Sequence, residues 1–392
     1  MPKLPALRLT GAKILRDDTL NEGTLSLYSG NICEGNFPEV DLRGYLVLPG
    51  IVDLHGDGFE RHLQPRPNVH FDKMTGLKNT DAELAANGVT TAILAQCWSW
   101  LGGRRSPEYA TDLLKNWAAY KHKSLVDMRI QLRYETHMVD TVDAMLLAIK
   151  AHNVEYLVYN NHINDASNAQ ASAPLGFAGY AAEAGRTVKQ HSAILEEMLG
   201  NAMQVDNSLK RLAPALSALK LRTGSHDDDS ASKRQYFADL GADICEFPTT
   251  RKAAEHAHNL ANPILMGAPN VVRGGSQSGN ISAQSLIEDG LCDALVSDYY
   301  YPALQAAAWA LADKGVLPFG KAWALISSNP AAILGLSDRG TLAEGMRADL
   351  LVINEQTKRI EATISNGRIA ALSGEAGVRF MRALTAQAVA AA

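Results

Sequence analysis

Short apolar runs recur along the middle of the chain, and a longer amphipathic stretch follows most of them. Eight runs predict strands: Gly50–Leu54, Val89–Leu94, Ile130–Tyr134, Tyr156–Tyr159, Leu219–Thr223, Asp243–Phe247, Ile264–Gly267 and Ala294–Ser297. Stretches rich in Ala, Leu and Lys predict helices at 108–122, 141–151, 192–204, 302–314 and 320–334. Strands that alternate with helices predict a parallel sheet in an α/β fold. Eight such strands favour a closed (β/α)8 TIM-like barrel over an open sheet.

The two ends of the chain follow a different pattern. Residues 1–48 and 340–375 contain alternating apolar and polar stretches broken by turn residues, as at Leu25 to Tyr28. Because alternation with a period of two is typical of strands, we expect both ends to build one small β-sandwich domain. The barrel is then expected to span residues 49–339. Residues 376–392 form an alanine-rich tail, which we expect to be helical or disordered.

Composition and charge narrow the class of protein. The chain has 392 residues, of which 46% are hydrophobic and 20% charged, as in ordinary soluble enzymes. The net charge of −5 gives no basic excess for nucleic acid, and no apolar run approaches the roughly 20 residues of a membrane helix. The basic N-terminus lacks the apolar core of a signal peptide, and the four cysteines are scattered. These features predict a cytoplasmic protein without nucleic-acid or membrane partners.

A histidine and an aspartate follow the first barrel strand two positions apart. Only Gly56 separates His55 from Asp57, and side chains at positions i and i+2 of extended backbone point to the same side. Imidazole and carboxylate groups both bind zinc and similar divalent cations. The alternative is a capping aspartate in a strand-to-loop turn, and this pair alone does not decide between the two interpretations.

Four more candidate ligands stand at or just after the ends of other predicted strands. They are Glu135, His162, His226 and Asp298. Each has a structural alternative, because an acidic residue after a strand can cap the next helix and a lone histidine is more often structural. The run from Asp227 to Asp229 is likewise typical of a solvated turn or a helix cap. Asp298 could also take the proton of a metal-bound water.

All six candidate side chains stand at the carboxyl ends of predicted strands, and this shared position is stronger evidence for a metal site than any one of the residues. In a (β/α)8 barrel the carboxyl ends of all strands meet at one face, where active sites lie. We therefore expect the six to surround one or two divalent ions, with zinc favoured over manganese or iron. The other histidines are assigned structural or solvent-exposed positions, with His62 as the exception. The pattern predicts a metal-dependent hydrolase.

Three further segments contain groups that hold anions. Arg66 lies between two prolines, Arg251 follows Pro248-Thr249-Thr250, and Arg273 precedes a glycine- and serine-rich stretch. A guanidinium beside accessible backbone N–H groups suits a phosphate, and glycine allows close backbone approach. A flexible surface loop is the alternative interpretation of the stretch 270–280.

Two blocks of the sequence resemble the amidohydrolase superfamily. The blocks are Leu48-Pro49-Gly50 followed by His55, and Ser328-Asn329-Pro330-Ala331 followed by Gly340 and Glu344-Gly345-Met346-Arg347-Ala348-Asp349-Leu350. The resemblance extends from residue 5 to about residue 372. It implies a metal-centred barrel with a β-sandwich built from both termini, in agreement with the pattern above.

Within that superfamily the chain is similar to the phosphonate-utilisation diphosphatases of the carbon–phosphorus lyase pathway. Five blocks show this: His55-Gly56-Asp57 with Glu60-Arg61-His62 and Pro65-Arg66-Pro67; Ser225-His226-Asp227-Asp228; Glu246-Phe247-Pro248-Thr249-Thr250; Met266-Gly267-Ala268-Pro269-Asn270 with Arg273-Gly274-Gly275-Ser276; and Ser297-Asp298-Tyr299-Tyr300. The chain departs from that family's usual residues at Gly56, Gly58, Asn161 and Gln277. Enzymes of this family hydrolyse α-D-ribose 1-methylphosphonate 5-triphosphate to the 5-phosphate and pyrophosphate.

The resemblance also implies roles for individual residues. The metal ligands would be His55, Asp57, Glu135, His162 and His226, with Asp298 as a further ligand or the general base. The substrate-binding residues would be Arg66 and Arg273 at the outer phosphates, with Arg61, Arg251, His62 and Asp228 as further candidates. The substrate would be the triphosphate above or a related small phosphorylated molecule. Hydrolysis of a cyclic amide, lactone or amino-heterocycle is one alternative, and a binding protein without activity is another. Formation of a homo-oligomer stays open.

Overall fold

The computed structural model describes residues 3–66, 69–276 and 278–390, with side chains described up to residue 387. Pro67 and Gln277, which belong to the sequence motifs, lie outside the described residues. The strands are β1 (Leu7–Arg16), β2 (Thr19–Tyr28), β3 (Asn31–Cys33), β4 (Glu39–Asp41), β5 (Tyr45–Pro49), β6 (Ile51–Gly56), β7 (Val89–Trp98), β8 (Asp127–Glu135), β9 (Tyr156–Asn160), β10 (Arg222–His226), β11 (Ile244–Glu246), β12 (Ile264–Gly267), β13 (Ala294–Val296), β14 (Leu350–Asn354), β15 (Ile360–Ser365) and β16 (Arg368–Leu372).

Helices separate the strands of the central part of the chain. They are α1 (Glu60–Leu63), α2 (Lys73–Ala86), α3 (Pro107–Tyr120), α4 (Val142–His152), α5 (Ile163–Ser172), α6 (Pro174–Glu183), α7 (Val188–Gly200), α8 (Ala202–Ala218), α9 (Ala231–Asp239), α10 (Arg251–Asn259), α11 (Ala268–Arg273), α12 (Ala283–Glu288), α13 (Ala303–Asp313), α14 (Phe319–Ala324), α15 (Ser328–Ile333) and α16 (Gly374–Ala390). Short 3-10 helices cover Gly103–Arg105, Lys121–Lys123 and Val139–Thr141. Within the described residues, no helix is both long and apolar enough to span a membrane.

Strands β6 to β13 form a parallel sheet in chain order, which confirms the predicted (β/α)8 barrel. The sheet closes where Asp298, two residues after β13, pairs with Gly56 at the end of β6. At this point the N–H of Asp298 donates to the carbonyl of His55 over 3.0 Å, and the N–H of Asp57 donates to the carbonyl of Asp298 over 2.8 Å. The closure therefore brings three predicted ligands together by backbone hydrogen bonds.

Apolar residues fill both faces of the barrel sheet. Val158 belongs to the cluster inside the barrel, whereas its neighbour Leu157 belongs to the cluster between the strands and the helices. Because successive residues of a strand point to opposite faces, a strand buried on both faces is a continuous apolar run. This is why the barrel strands were recognisable as uninterrupted runs in the sequence.

The two ends of the chain form one mixed sheet, with the order β16-β15-β14-β5-β1-β2-β3 and with β4 beside β1. Only Gly50 separates β5 of this sheet from β6 of the barrel. Leu9, Val47 and Leu350 are completely buried in a core that is distinct from that of the barrel. The helix α16 packs against this second core through Phe380, so the described part of the predicted tail is helical.

Three sequence predictions differ from the structure in their boundaries. The strand predicted from Leu219 begins at Arg222, because the spacing of Leu209, Leu212 and Leu216 continues helix α8 to Ala218. The predicted helix 192–204 spans parts of two helices, α7 and α8, and the predicted helix 320–334 spans parts of α14 and α15. The helices α5 to α8 lie between β9 and β10, and Phe177, Leu195 and Met198 form a small core there.

Candidate metal centre

The strand ends place the candidate ligands at the carboxyl face of the barrel. The six residues lie in the last two positions of a strand or within two residues after it: His55 and Asp57 at β6, Glu135 at β8, His162 at β9, His226 at β10 and Asp298 at β13. Four of them, His55, Asp57, His226 and Asp298, line a single cavity of about 240 Å³. The structure therefore brings together side chains from opposite ends of the barrel sequence.

Glu246, the last residue of β11, holds two of the histidines. Its Oε2 lies 2.8 Å from Nδ1 of His55 and 3.2 Å from Nδ1 of His226. Its Oε1 accepts hydrogen bonds from the hydroxyl of Tyr156 over 2.6 Å and from Nε2 of Gln131 over 2.7 Å. An ionised carboxylate only accepts hydrogen bonds, so each histidine donates from Nδ1, and in the neutral ring Nε2 is then the acceptor. Glu246 thus fixes the orientation of two imidazoles, as carboxylates do behind metal-bound histidines.

Glu135 plays a similar part for the third histidine. Its Oε1 lies 2.6 Å from Nδ1 of His162, and its Oε2 accepts a hydrogen bond from the backbone N–H of the same residue over 3.2 Å. Nε2 of His162 and Nε2 of His226 each lie 3.5 Å from Oδ2 of Asp227. Two imidazole nitrogens therefore face one carboxylate oxygen between the ends of β9 and β10.

A guanidinium lies among these groups. Nη2 of Arg133 lies 3.0 Å from Nε2 of His226, and Nη1 of Arg133 lies 3.5 Å from Oδ2 of Asp57. Gln131, Arg133 and Glu135 alternate along β8, so their side chains all enter the barrel. A fixed positive charge thus contacts two of the predicted metal ligands.

Burial and neighbouring charges set the protonation of the cluster. Burial lowers the pKa of His226 to about 4, which keeps its ring neutral at pH 7. Burial also opposes protonation of His162, but the charge of Glu135 and hydrogen bonds to Asp227 and Glu135 together outweigh it and raise the pKa of His162 to about 9. Burial, reinforced by the charge of Asp57, raises the pKa of Asp298 to about 7. His226 can therefore offer an unprotonated nitrogen at neutral pH, and Asp298 can exchange a proton there.

The side chains at the mouth suit a divalent cation. Two sets of three residues have ligand atoms within 4.8 Å of one another: His55, His226 and Glu246, and His162, His226 and Asp227. Both sets combine imidazole nitrogen with carboxylate oxygen, which is the donor chemistry of zinc, manganese and iron sites. Because the oxygens of Glu246 already accept four hydrogen bonds, the second set has the more accessible donor atoms. His226 belongs to both sets.

Three residues at the mouth have a left-handed backbone that is uncommon outside glycine. Asp227, Phe247 and Asp298 have φ angles of 56°, 52° and 55°. Their N–H groups bond to the neighbouring strand, as that of Asp227 does to the carbonyl of Glu246 over 3.0 Å. Such conformations cost about 1–2 kcal/mol each and cluster at functional sites. Here they turn the chain sharply out of the strands, and all three side chains line the cavity.

One wall of the cavity carries the groups that suit an anion. Arg273 at the end of α11 lines it together with Asn270, Ser276 and Ser278. Nη1 of Arg273 lies 3.4 Å from the hydroxyl oxygen of Tyr299. The guanidinium and the small polar residues that the sequence predicts to hold an anion therefore line the cavity, as far as this stretch is described.

Arg61 and His62 are not among the described residues that line the cavity, and they share one carboxylate. Both pair with Glu83 of helix α2, His62 through Nε2 at 2.6 Å. Nη1 of Arg61 also donates to the carbonyl of Tyr299 over 3.0 Å. Since Tyr299 lines the cavity, Arg61 supports the cavity wall.

Three other substrate-binding candidates, Asp228, Arg251 and Arg66, are not among the described residues that line the cavity. Asp228 is completely buried, and Nη1 of Arg234 donates to its Oδ2 over 3.2 Å. The interpretation of 227–229 as a solvated turn is thus wrong at Asp228, which balances a buried guanidinium. Arg251 pairs with Asp289. Arg66 is exposed next to its bridge with Val69.

Sequence reasoning assigns no site role to Arg133, Asp227 or Glu246, although a signal exists for each. Arg133 stands two positions before Glu135, so the period of a strand puts both on one face. Glu246 ends an apolar strand just as Glu135 does. Asp227 directly follows His226, but the run of three aspartates favours a surface turn. Charged residues at or near the ends of the predicted strands are therefore the signal that points to Arg133 and Glu246.

Comparisons with known proteins agree with this geometry. Residues 230–371 match the Amidohydrolase family. The α-D-ribose 1-methylphosphonate 5-triphosphate diphosphatase of Escherichia coli (strain K12) is 30% identical over 367 residues, which cover 90% of this chain and 96% of that protein.

Solved structures with the same fold include two hydrolytic enzymes. The 5-methylcytosine deaminase from Klebsiella pneumoniae has a TM-score of 0.62 at 14% identity, with 94% of this chain and 98% of that chain covered. The β-aspartyl dipeptidase from Fervidobacterium islandicum AW-1 has a TM-score of 0.60 at 16% identity, with 94% and 97% covered. At these identities the likeness shows a common fold only. The match of residues 230–371 and the relative from Escherichia coli show that the chain belongs to the amidohydrolase superfamily of hydrolases.

Proposed function

We propose that the protein is a metal-dependent hydrolase that converts α-D-ribose 1-methylphosphonate 5-triphosphate, or a closely related triphosphate, to the 5-phosphate and pyrophosphate. One observation carries the proposal: three carboxylate-oriented histidines lie at the mouth of a barrel, beside a cavity that an arginine also lines. The name of the relative from Escherichia coli gives the same reaction. A triphosphate requires both features, because its hydrolysis needs an activated water and its charge needs cationic partners.

The proposed metal ligands are His55, His162 and His226 through Nε2, together with the carboxylates of Asp57 and Asp227. Glu135, which the sequence predicts to be a ligand, is better placed to orient His162 because its Oε1 lies 2.6 Å from Nδ1 of that ring. The donor set favours zinc, with manganese or iron as alternatives. When bound, such an ion supplies Lewis-acid chemistry to phosphoryl oxygens and makes a water more acidic.

Asp298 is the proposed proton acceptor. It lines the cavity beside His55, and burial raises its pKa to about 7, close to the value at which a general base works best at neutral pH. In the proposed reaction Asp298 takes a proton from water as the water oxygen bonds to the α-phosphorus. The bond from this phosphorus to the bridging oxygen breaks, and pyrophosphate leaves.

Arg273 is the proposed partner of the leaving phosphates. A guanidinium presents a planar pair of N–H donors that fits phosphate oxygens, and the neighbouring Ser276 and Ser278 add small polar groups. Arg61 has an indirect part, because it holds the carbonyl of Tyr299 and thereby the cavity wall.

Incubation of the zinc-loaded protein with the ribose triphosphate tests the proposal. We expect equal amounts of pyrophosphate and the 5-phosphate, loss of activity with a chelator, and an increase in KM of about tenfold in R273Q. The protein without added metal after dialysis against the chelator is the control. Turnover of a cyclic amide or lactone without pyrophosphate release would instead favour the alternative hydrolase. A protein that binds no zinc, manganese or iron would favour a non-enzymatic binding role.

A further inference from the structure

Arg133 is an arginine that contacts two proposed metal ligands from inside the barrel. Its side chain is 12% exposed, and it lines the same cavity as Arg273. Nη2 lies 3.0 Å from Nε2 of His226, and Nη1 lies 3.5 Å from Oδ2 of Asp57. Nε2 of His226 is the atom through which that ring would bind an ion, and Oδ2 is one of the two carboxylate oxygens that Asp57 could offer to it. The guanidinium and the ion therefore compete for Nε2 of His226 and would lie close together at Asp57.

The geometry of His226 makes this competition unavoidable. Its Nδ1 faces Oε2 of Glu246 at 3.2 Å, so Nε2 is the only ring nitrogen left for another partner. A lone pair on that nitrogen can accept from Arg133 or bind a metal, but it cannot do both. Loading of the metal must then release at least one N–H donor of Arg133 within the cavity.

We propose that Arg133 is a displaceable cation, which occupies the ligand atoms of His226 and Asp57 in the metal-free protein and binds a phosphoryl oxygen of the substrate once a metal has taken those atoms. This proposal rests on the proposed function, because it requires the metal site and an anionic substrate. It assigns to Arg133 a substrate-binding role that neither the sequence motifs nor the fold gives it.

Two observations support the second half of the proposal. The Nε of Arg133 is buried and has no hydrogen-bond partner among the described residues, so the guanidinium already has an unused donor. Released donors would enter a cavity that Arg273, Ser276 and Ser278 also line. Two guanidinium groups that line one cavity suit a chain of phosphates better than a neutral amide.

The first test measures the zinc affinity of metal-free R133Q by calorimetry, without any anion. Removal of a competing positive charge next to the ligands should tighten zinc binding by about tenfold. A purely structural Arg133 predicts the opposite, since loss of its contact with Asp57 would disorder a ligand and weaken zinc binding. Unchanged or weaker zinc binding by folded R133Q overturns the proposal. R251Q is the matched control, because Arg251 pairs with Asp289 outside the described cavity lining.

The second test measures the affinity of the zinc-loaded proteins for inorganic phosphate. R133Q should bind phosphate at least about tenfold more weakly than the wild type, as expected for loss of a charge-assisted hydrogen bond. R133K keeps the positive charge but loses the planar fork, so it should bind zinc like the wild type and phosphate more weakly. If R133Q does not fold, the R133K result decides. Wild-type phosphate affinity in the folded variants overturns the proposal.

These outcomes separate the inference from the proposed function. A wild-type protein that binds no metal contradicts the proposed function itself. A wild-type protein that binds zinc and releases pyrophosphate, together with an R133Q variant of unchanged zinc and phosphate affinity, contradicts only the role of Arg133.

Discussion

Oε2 of Glu246 lies 2.8 Å from Nδ1 of His55, and this contact joins residues 191 positions apart, at the ends of β11 and β6. The same oxygen lies 3.2 Å from Nδ1 of His226. One buried carboxylate therefore fixes two imidazoles from two other strands. The two rings lie with centroids 5.3 Å apart and their planes within 25° of each other. Metal affinity should depend on this carboxylate even though it is not itself a proposed ligand.

Replacement E246Q should weaken zinc binding by about 10–100-fold, as is usual when the partner of a metal-bound histidine is lost. The amide keeps the shape of the side chain, but it has no negative charge and replaces one of the two acceptor oxygens with an NH2 donor, so it holds the two imidazole N–H groups less firmly. Zinc affinity measured by equilibrium dialysis checks this expectation. Y156F is the matched control, because it removes only the hydrogen bond to Oε1 and leaves both histidine contacts intact. Wild-type zinc affinity in E246Q would contradict the orienting role.

Replacement D298N should separate proton transfer from metal binding. An asparagine cannot accept the proton of water as a carboxylate does, so we expect kcat for pyrophosphate release to fall by about 10²–10⁴-fold. The histidines and Asp227 are unchanged in D298N, so the variant should still bind zinc. Zinc content and kcat measured on the same preparation check both expectations. Loss of zinc along with activity would instead make Asp298 chiefly a ligand.

The architecture and the positions of the candidate ligands follow from local sequence patterns. Val89–Leu94 is recognisable as a strand because β7 is buried on both faces, and His55 and Glu135 are recognisable because they end such runs. The rule that parallel strands share one active face then brings distant residues together without any knowledge of their contacts. The sequence therefore predicts which strand ends carry the candidate site.

The separate roles of residues within the candidate site, metal binding or orientation of a histidine, do not follow from local sequence patterns. Whether Glu135 or Glu246 binds a metal or orients a histidine depends on distances between strands, and these contacts join residues far apart in the sequence. Asp228 and Asp227 are adjacent and chemically identical, yet one balances Arg234 in the barrel wall while the other enters the cavity. Asp227 has a left-handed backbone whereas Asp228 does not, and the residue type alone does not reveal this difference.

Gly56 should tolerate no side chain, because the barrel closes on it. A Cβ at this position would lie 2.7 Å from Oγ of Ser297 and 2.8 Å from Oδ2 of Asp53. Those two residues are locked together by a hydrogen bond of 2.6 Å and cannot easily move apart. We expect G56A to lower the free energy of unfolding by about 1–3 kcal/mol in urea titrations.

Gly179 provides the matched control for Gly56. It lies inside helix α6, and apart from the adjoining backbone of that helix a Cβ there would meet no described atom within 4 Å. Alanine is the better helix former, so G179A should leave stability unchanged or raise it by about 0.5–1 kcal/mol. Equal stability of G56A and the wild type would show that β6 and β13 can separate without cost.

Asp127 should make stability depend on acid pH at the opposite end of the barrel. Its Oδ2 lies 2.7 Å from Nη1 of Arg339 and 3.1 Å from Nη2 of Arg129. Burial alone would raise the pKa of Asp127, but Arg129 and Arg339 outweigh it and hold the pKa below its usual range. A carboxyl group with a lowered folded-state pKa stabilises the fold fully above its unfolded pKa of about 3.9, and this contribution is lost as the pH falls through the folded value.

The variant D127N lacks this contribution to stability at neutral pH, so acid cannot reduce its stability through position 127. We expect it to be less stable than the wild type by about 1–3 kcal/mol at pH 7, because Asp338 is then the one acidic ion-pair partner that Arg339 keeps among the described residues. The difference should stay constant from pH 8 to about pH 5 and shrink below about pH 4. Urea unfolding at each pH measures it. D338N is the control, because Asp338 pairs with the same arginine but is 54% exposed and should contribute little. A difference that persists unchanged to pH 3 would mean that Asp127 stabilises the fold by packing and not by charge.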